Sequence, residues 1–184
     1  MISSFLEKTA WPMTPPLPWS VFHVAFLLLG ISGSVCLTRF FYPPQALTKA
    51  LPPRLRKPAD PVRILWVCGI ILACGEVYKQ LFLYHVVNGG RYDWWYFPFQ
   101  LCSTPMYLCL VLPALSPGRL RDSVCVYLQS FGFLGGVMAL LEPSGLMHPY
   151  WTLTLHGLLW HVLLIFIACC CTASGIAGPE ASGL

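Results

Sequence analysis

Residues 76–102 read EVYKQLFLYHVVNGGRYDWWYFPFQLC, and they hold many of the polar side chains of a mostly apolar sequence. Glu76, Lys79 and Gln80 lie inside a long apolar run, where a charge is costly unless it is paired or hydrated. Their i, i+3, i+4 spacing puts them on one face of a helix. A turn at 88–90 follows, and a second apolar run begins at Pro98 and carries Cys102. The stretch predicts a polar pocket buried in a membrane bundle.

Composition supports a membrane protein. Of the 184 residues, 57% are hydrophobic and 10% are charged, and the mean hydropathy is +0.67. A soluble domain is about 25% charged. Several apolar runs approach the roughly 20 residues that a helix needs to cross a bilayer. The net charge of +4 comes from loops between these runs, so it does not indicate nucleic-acid binding.

Recognisable cofactor and hydrolase motifs are missing from the sequence. It contains no CxxC, HExxH, GxxxxGKS or GxSxG pattern, so we predict no cofactor and no metal. The nine cysteines lie mostly within the apolar runs, where a reduced thiol acts as a small hydrophobe. They therefore do not predict a disulfide framework.

The predicted fold is an all-α, polytopic membrane bundle of about five transmembrane helices. An interfacial segment covers residues 1–16, and a basic, proline-rich loop covers 39–63. The predicted spans are 17–37, 64–87, 98–115, 124–141 and 150–171, and a flexible tail covers 172–184. Small residues at Gly132 and Gly136, and at Gly69 and Ala73, indicate close helix packing.

The basic residues predict an orientation. An outside N-terminus places two basic loops in the cytoplasm, and these hold eight of the eleven Lys and Arg residues. This agrees with the positive-inside rule. We therefore expect a multi-pass protein of the cell membrane, with loop 39–63 cytoplasmic.

This topology brings polar residues to similar depths in the outer half of the bundle. Cys102 and His156 both lie one to two turns below the outer surface. The expected pocket residues are Glu76, Lys79, Gln80, His23, Gln100, Gln129 and His161. A purely structural alternative remains open, in which Glu76 and Lys79 form an ion pair that neutralises itself and the histidines serve only in helix packing.

Cys102 is the candidate nucleophile. Pro98 at a first helical position would place this thiol near a helix N-terminus, where the dipole lowers a thiol pKa. Pro105 would deny a hydrogen bond to the carbonyl of Leu101 and kink the helix there. Most cysteines in apolar helices are packing residues, and this interpretation of Cys102 also remains open.

His156 is the candidate base. His156 and His161 are five residues apart, whereas two metal ligands on one helix prefer i, i+4, so we predict no two-histidine metal site. His156 lies at the depth of Cys102, and His161 lies deeper. A thiolate–imidazole pair is a common way to activate cysteine for acyl transfer.

Three segments carry a family resemblance. PWSVFHVAFLLLG, YFPFQLCSTPMYL and TLHGLLWHVLLI, with a Glu in the second span, resemble the YwaF-like family of integral membrane proteins over about residues 17–171. The matching positions are His23, Glu76, Gln100, Leu101, Cys102 and either His156 or His161. Gln100 stands where that family often has His.

The YwaF-like family is similar to eukaryotic transmembrane acyltransferases that remodel ether phospholipids through a Cys acyl-enzyme and a His. The resemblance implies that Cys102 carries the acyl group and that His156 or His161 acts as base. Because the family has more than five spans, the chain resembles a C-terminally shortened member.

The leading functional hypothesis is a thiol-dependent lipid acyltransferase whose partners are membrane lipids, without nucleic acid. One alternative is a non-enzymatic transporter or small-ligand binder that uses the same pocket. Another is a fragment without activity of its own.

Overall fold

The structure, a computed structural model, describes residues 2–44 and 58–177. Within these ranges it contains six α-helices: α1 Ile2–Lys8, α2 Val21–Phe41, α3 Pro61–Phe82, α4 Thr104–Val111, α5 Arg119–Leu141 and α6 Trp151–Ser174. Helices α2, α3, α5 and α6 are long and apolar enough to cross a membrane, and a shorter apolar helix covers Leu101–Ala114. The predicted all-α membrane bundle is confirmed.

Capping residues set where the first two spans begin. Ser20 accepts a hydrogen bond from the backbone of His23, and α2 starts at Val21 rather than at the predicted residue 17. Asp60 accepts from the backbone of Val62, and Pro61 occupies the first turn of α3. The second span therefore starts three residues before the predicted residue 64, and it continues through a π turn to Val87.

The third predicted span is shorter than expected. Leu101–Ser103 and Leu112–Ala114 are 3-10 turns that flank α4. With rises of ~1.5 Å per α residue and ~2.0 Å per 3-10 residue, this helix is about 24 Å long, against a hydrocarbon core of ~30 Å. The structure thus has four long candidate spans and one shorter apolar helix where five spans were predicted.

Two expectations about prolines were wrong. Pro98 lies outside the helix, in the segment between the 3-10 turn at 94–96 and Leu101. Pro105 lies in the first turn of α4, where a missing N–H leaves no hydrogen bond unmade, so it does not kink the helix. Cys102 is therefore in a 3-10 turn that precedes α4, not one turn inside an α-helix.

Helix α6 is the centre of the bundle and packs against α2, α3 and α5. Glycines allow the closest approach, as the small-residue pairs predict. A Cβ on Gly136 would lie 2.8 Å from the carbonyl oxygen of His161, and one on Gly132 would lie 3.4 Å from that of Leu164. A Cβ on Gly69 would meet the α4 residue Cys109 at 2.9 Å.

The N-terminal segment docks on the bundle. Leu6 of α1 is buried with Phe82 and Leu153. The backbone of Met13 donates to Pro149 at 3.0 Å, and that of Trp151 donates to Trp11 at 3.0 Å. The predicted interfacial segment is thus held against the ends of α3 and α6.

The predicted loop and tail fall partly outside the described residues. Arg39 lies in the last turn of α2 and Arg63 in the first turn of α3, while residues 45–57 of the basic loop are not described. Helix α6 continues to Ser174, two residues past the expected start of the tail at 172. Residues 178–184 also lie outside the described part.

We expect Gly136→Ala to destabilise the protein by about 1–3 kcal/mol, because a methyl group there would press on the α6 backbone. Thermal unfolding in detergent would measure the loss. Gly135→Ala is the matched control, since a Cβ on Gly135 meets nothing within 4 Å. Equal stability of the two variants would contradict the close packing of α5 on α6.

Candidate functional site

A cavity of about 360 Å³ lies between α3, the start of the short helix, the end of α5 and the first half of α6. Six of the predicted site residues line it: Glu76, Lys79, Gln100, Cys102, His156 and His161. The 3-10 turn at Trp94–Tyr96 contributes Trp95 and Tyr96 to its wall. One cavity therefore joins groups that can accept protons, carry charge and act as a nucleophile.

The charged floor of the cavity is a paired cluster. Lys79 Nζ lies 2.8 Å from Glu76 Oε1, and the two side chains are 21% and 6% exposed. Gln80 Nε2 donates to the same carboxylate oxygen at 2.7 Å and also to the carbonyl oxygen of Tyr96. Gln80 does not line the cavity; it joins the ion pair to the 3-10 turn, so that the wall and the floor are held together.

A hydrogen bond to the backbone fixes Cys102 against α6. Trp160 Nε1 donates to the carbonyl oxygen of Cys102 at 3.1 Å. The Cys102 thiol has a longer contact, 3.8 Å, to Gln100 Oε1, and Gln100 Nε2 donates to Trp95 at 3.3 Å. Gln100 holds the N-cap position of the turn, yet its side chain makes no capping bond.

The two histidines of the cavity are held differently. His161 Nδ1 lies 2.7 Å from the carbonyl oxygen of Gly157, so Nδ1 carries the proton and Nε2 of the neutral ring is an acceptor. His156 Nε2 is buried and has no hydrogen-bond partner among the described residues. The His156 ring lies 5.4 Å from the Trp160 ring and packs against the bare backbone at Gly75.

His23 and Gln129, which were expected in the pocket, lie elsewhere. His23 is fully buried: Nδ1 accepts from the backbone of Trp19 at 3.1 Å, and Nε2 donates to the carbonyl oxygen of Leu140 at 2.9 Å. That carbonyl lies in the last turn of α5, where backbone acceptors lack helical partners. Gln129 instead pairs with Thr172 at 3.0 Å in a separate groove.

Two titratable residues of the cavity were missed from the sequence. Glu142 and His148 follow α5, and both line the cavity. Glu142 accepts a 2.5 Å hydrogen bond from Ser144. Burial, and then the charge of Lys79, lowers the pKa of His148. Both residues lie at the predicted outer end of the fourth span, so the depth argument could have included them.

Residues 13–182 match the TMEM164 family. The chain belongs to this family. No curated protein and no solved structure matches it. The TMEM164 match, together with the four long apolar helices, makes this a multi-pass membrane protein. It does not confirm the YwaF-like name that the sequence motifs suggest. In the described residues, no three His, Cys, Asp or Glu side chains form a metal-binding group.

We expect Lys79→Met to destabilise this TMEM164 family protein, because it leaves the Glu76 carboxylate buried without its cation. Buried pairs broken on one side cost ~3–5 kcal/mol, and partial hydration of this pair reduces the expected loss to about 1–3 kcal/mol. Thermal unfolding in detergent would measure it. The double variant Glu76→Gln, Lys79→Met removes both charges and should be the more stable of the two. A double variant less stable than Lys79→Met would contradict this account.

Proposed function

We propose that this protein is a lipid acyltransferase in which Cys102 carries the acyl group and His156 is the base. The observation that carries the proposal is the position of Trp160. Its indole binds the backbone of Cys102 at 3.1 Å, and its ring lies 5.4 Å from that of His156. Cys102 and His156 therefore both lie against Trp160, and all three residues line one cavity.

The unpartnered nitrogen of His156 supports the role of base. Nε2 is buried against the backbone at Gly75 and makes no hydrogen bond among the described residues. Since His156 lines the cavity, a rotation of its ring away from Gly75 would present Nε2 to a thiol or a substrate hydroxyl. His156 and Trp160 are four residues apart and share a face of α6, whereas His161 is turned by about 100° from Trp160. His161 is also held by its bond to Gly157.

In the proposed first step, the Cys102 sulfur attacks the carbonyl carbon of an acyl ester, and His156 takes the thiol proton. The ester C–O bond breaks, a thioester forms, and the leaving alkoxide takes the proton from His156. In the second step an acceptor hydroxyl gives its proton to His156 and attacks the thioester. The thiolate leaves and regains the proton, so no redox reagent is consumed.

The charged floor supports a polar headgroup at the same site. Lys79 keeps part of its side chain exposed to the cavity, so its ammonium can reach a phosphate oxygen while Glu76 holds it in place. Glu142 adds an acidic group at the rim. The proposed headgroup position is therefore next to Lys79.

An aromatic surface beside the cavity supports a membrane lipid as substrate. Trp94, Trp95 and Phe99 are 75%, 77% and 82% exposed, and Trp95 also lines the cavity. Tryptophan rings of this kind prefer the boundary between lipid headgroups and acyl chains. A lipid at this boundary would have a short path to Cys102.

We also propose that this cavity opens toward the outer face of the cell membrane. The basic residues around Arg39, Arg63 and Arg119 are at the other end of the bundle from Cys102, which is the distribution of the positive-inside rule. Protease accessibility of a tag fused at residue 1 in right-side-out vesicles would test the orientation, and protection of that tag would contradict it.

The enzyme proposal is tested by acyl labelling of the purified protein in lipid nanodiscs. A lipid-like activated acyl ester serves as probe, and mass spectrometry maps the acylated residue. We expect acylation at Cys102, its loss in Cys102→Ser, and a rate about 100-fold lower in His156→Ala, the scale of a general base. Cys74→Ser is the control, because Cys74 is exposed on α3 outside the cavity.

Acylation spread evenly over several cysteines, or none at Cys102, would overturn the enzyme proposal. The cavity would then be better explained as a ligand-binding or transport site. His161→Ala separates the two histidines. A larger loss of rate in His161→Ala than in His156→Ala would move the role of base to His161 and leave Cys102 in place.

A further inference from the structure

A second polar groove lies between α2, α5 and α6, with a volume of about 670 Å³. It is lined by Val35, Thr38, Arg39, Gln129, Ser130, Phe133, Ala168, Cys169, Thr172 and Ala173. On α6 its centre near Thr172 is sixteen residues from His156, which is about 24 Å at 1.5 Å per residue. It is therefore distinct from the cavity that holds Cys102.

Polar side chains on the floor of this groove need an explanation. Gln129 and Ser130 come from the middle of α5, and Gln129 Nε2 donates to Thr172 Oγ1 at 3.0 Å. Both Ser130 and Thr172 are exposed in the structure, on helices whose length and hydropathy suit a bilayer. Thr172 also donates to the carbonyl oxygen of Ala168 at 3.0 Å, so its hydroxyl is satisfied within the protein. The exposed Ser130 hydroxyl and the remaining amide groups of Gln129 are the polar groups that a partly polar occupant would satisfy better than acyl chains alone.

The charge of the groove points to the same occupant. Arg39, in the last turn of α2, is its only charged lining residue among those the structure describes, so the described lining carries one positive charge. A guanidinium binds two phosphate oxygens at once, which a point charge cannot do. Val35, Phe133 and Ala168 supply apolar walls for an acyl chain.

We propose that this groove binds an anionic phospholipid, with the phosphate on Arg39, the glycerol and ester groups near Gln129 and Thr172, and an acyl chain against Phe133. One amide hydrogen of Gln129 is used by Thr172, and the other is directed to an ester oxygen. The occupant is bound and not transformed in this proposal, since the described lining pairs the thiol of Cys169 with no histidine or carboxylate.

Native mass spectrometry of the detergent-purified protein tests the site by titration with phosphatidylglycerol and with phosphatidylcholine. We expect preferential binding of phosphatidylglycerol. Arg39→Ala should raise its Kd about tenfold, because the variant loses a charge-assisted contact to the phosphate and water replaces part of it. The Kd of Arg39→Lys should lie between those of the wild type and Arg39→Ala, because lysine keeps the charge and loses the two-pronged guanidinium contact.

Arg119→Ala is the matched control, because Arg119 is an exposed arginine at the same end of the bundle and outside the groove. It should change the Kd less than twofold. Gln129→Leu tests the polar floor without changing charge and should weaken binding about threefold, as expected for one neutral hydrogen bond.

Equal effects of Arg39→Ala and Arg119→Ala, or equal binding of the two lipids, would overturn the proposal. The groove would then be better explained as a packing surface for a helix of a partner protein. Neither outcome affects the acyltransferase proposal, since no residue of the groove lines the cavity of Cys102.

Discussion

The cost of placing polar groups in hydrocarbon is the constraint that organises this bundle. Glu76 can stay buried because Lys79 and Gln80 satisfy one of its oxygens, and Gln80 extends the network to the carbonyl of Tyr96. His23 can stay fully buried because both ring nitrogens have partners, one of them an unpaired carbonyl at the end of α5. His156 is the contrast, since its buried Nε2 has no such partner.

Helix α6 brings the polar residues of the other helices together at the cavity. Glycines on α5 bring the two backbones together, which places the first half of α6 beside the end of α5 and beside the charged face of α3. Trp160 then reaches across to the backbone of Cys102. The short helix α4 packs on α3 at Gly69, and the indole bond of Trp160 with the tether at Tyr96 holds the turn that carries Cys102 beside the cavity.

The sequence predicted the fold class because apolar run length is a local property, and it predicted part of the site because topology sets depth. It did not predict rotation about the helix axis. His23 and Gln129 have depths compatible with the cavity but face other helices, and no residue pattern in α2 or α5 shows this. From the sequence, Pro98 could either begin a helix or precede one. In the structure it precedes the helix, and its carbonyl oxygen accepts a hydrogen bond from the Tyr107 hydroxyl at 2.8 Å.

The two polar sites differ in a way that argues for two different uses. The cavity of Cys102 combines a thiol, an imidazole without a hydrogen-bond partner among the described residues and an ion pair that compensates its own charge. The groove of Arg39 combines an uncompensated positive charge with hydroxyl and amide groups among its described lining. A paired charge is already compensated by its partner, whereas an uncompensated one favours retention of an anion. Chemistry at one end of the bundle and lipid retention at the other are therefore compatible within one small protein.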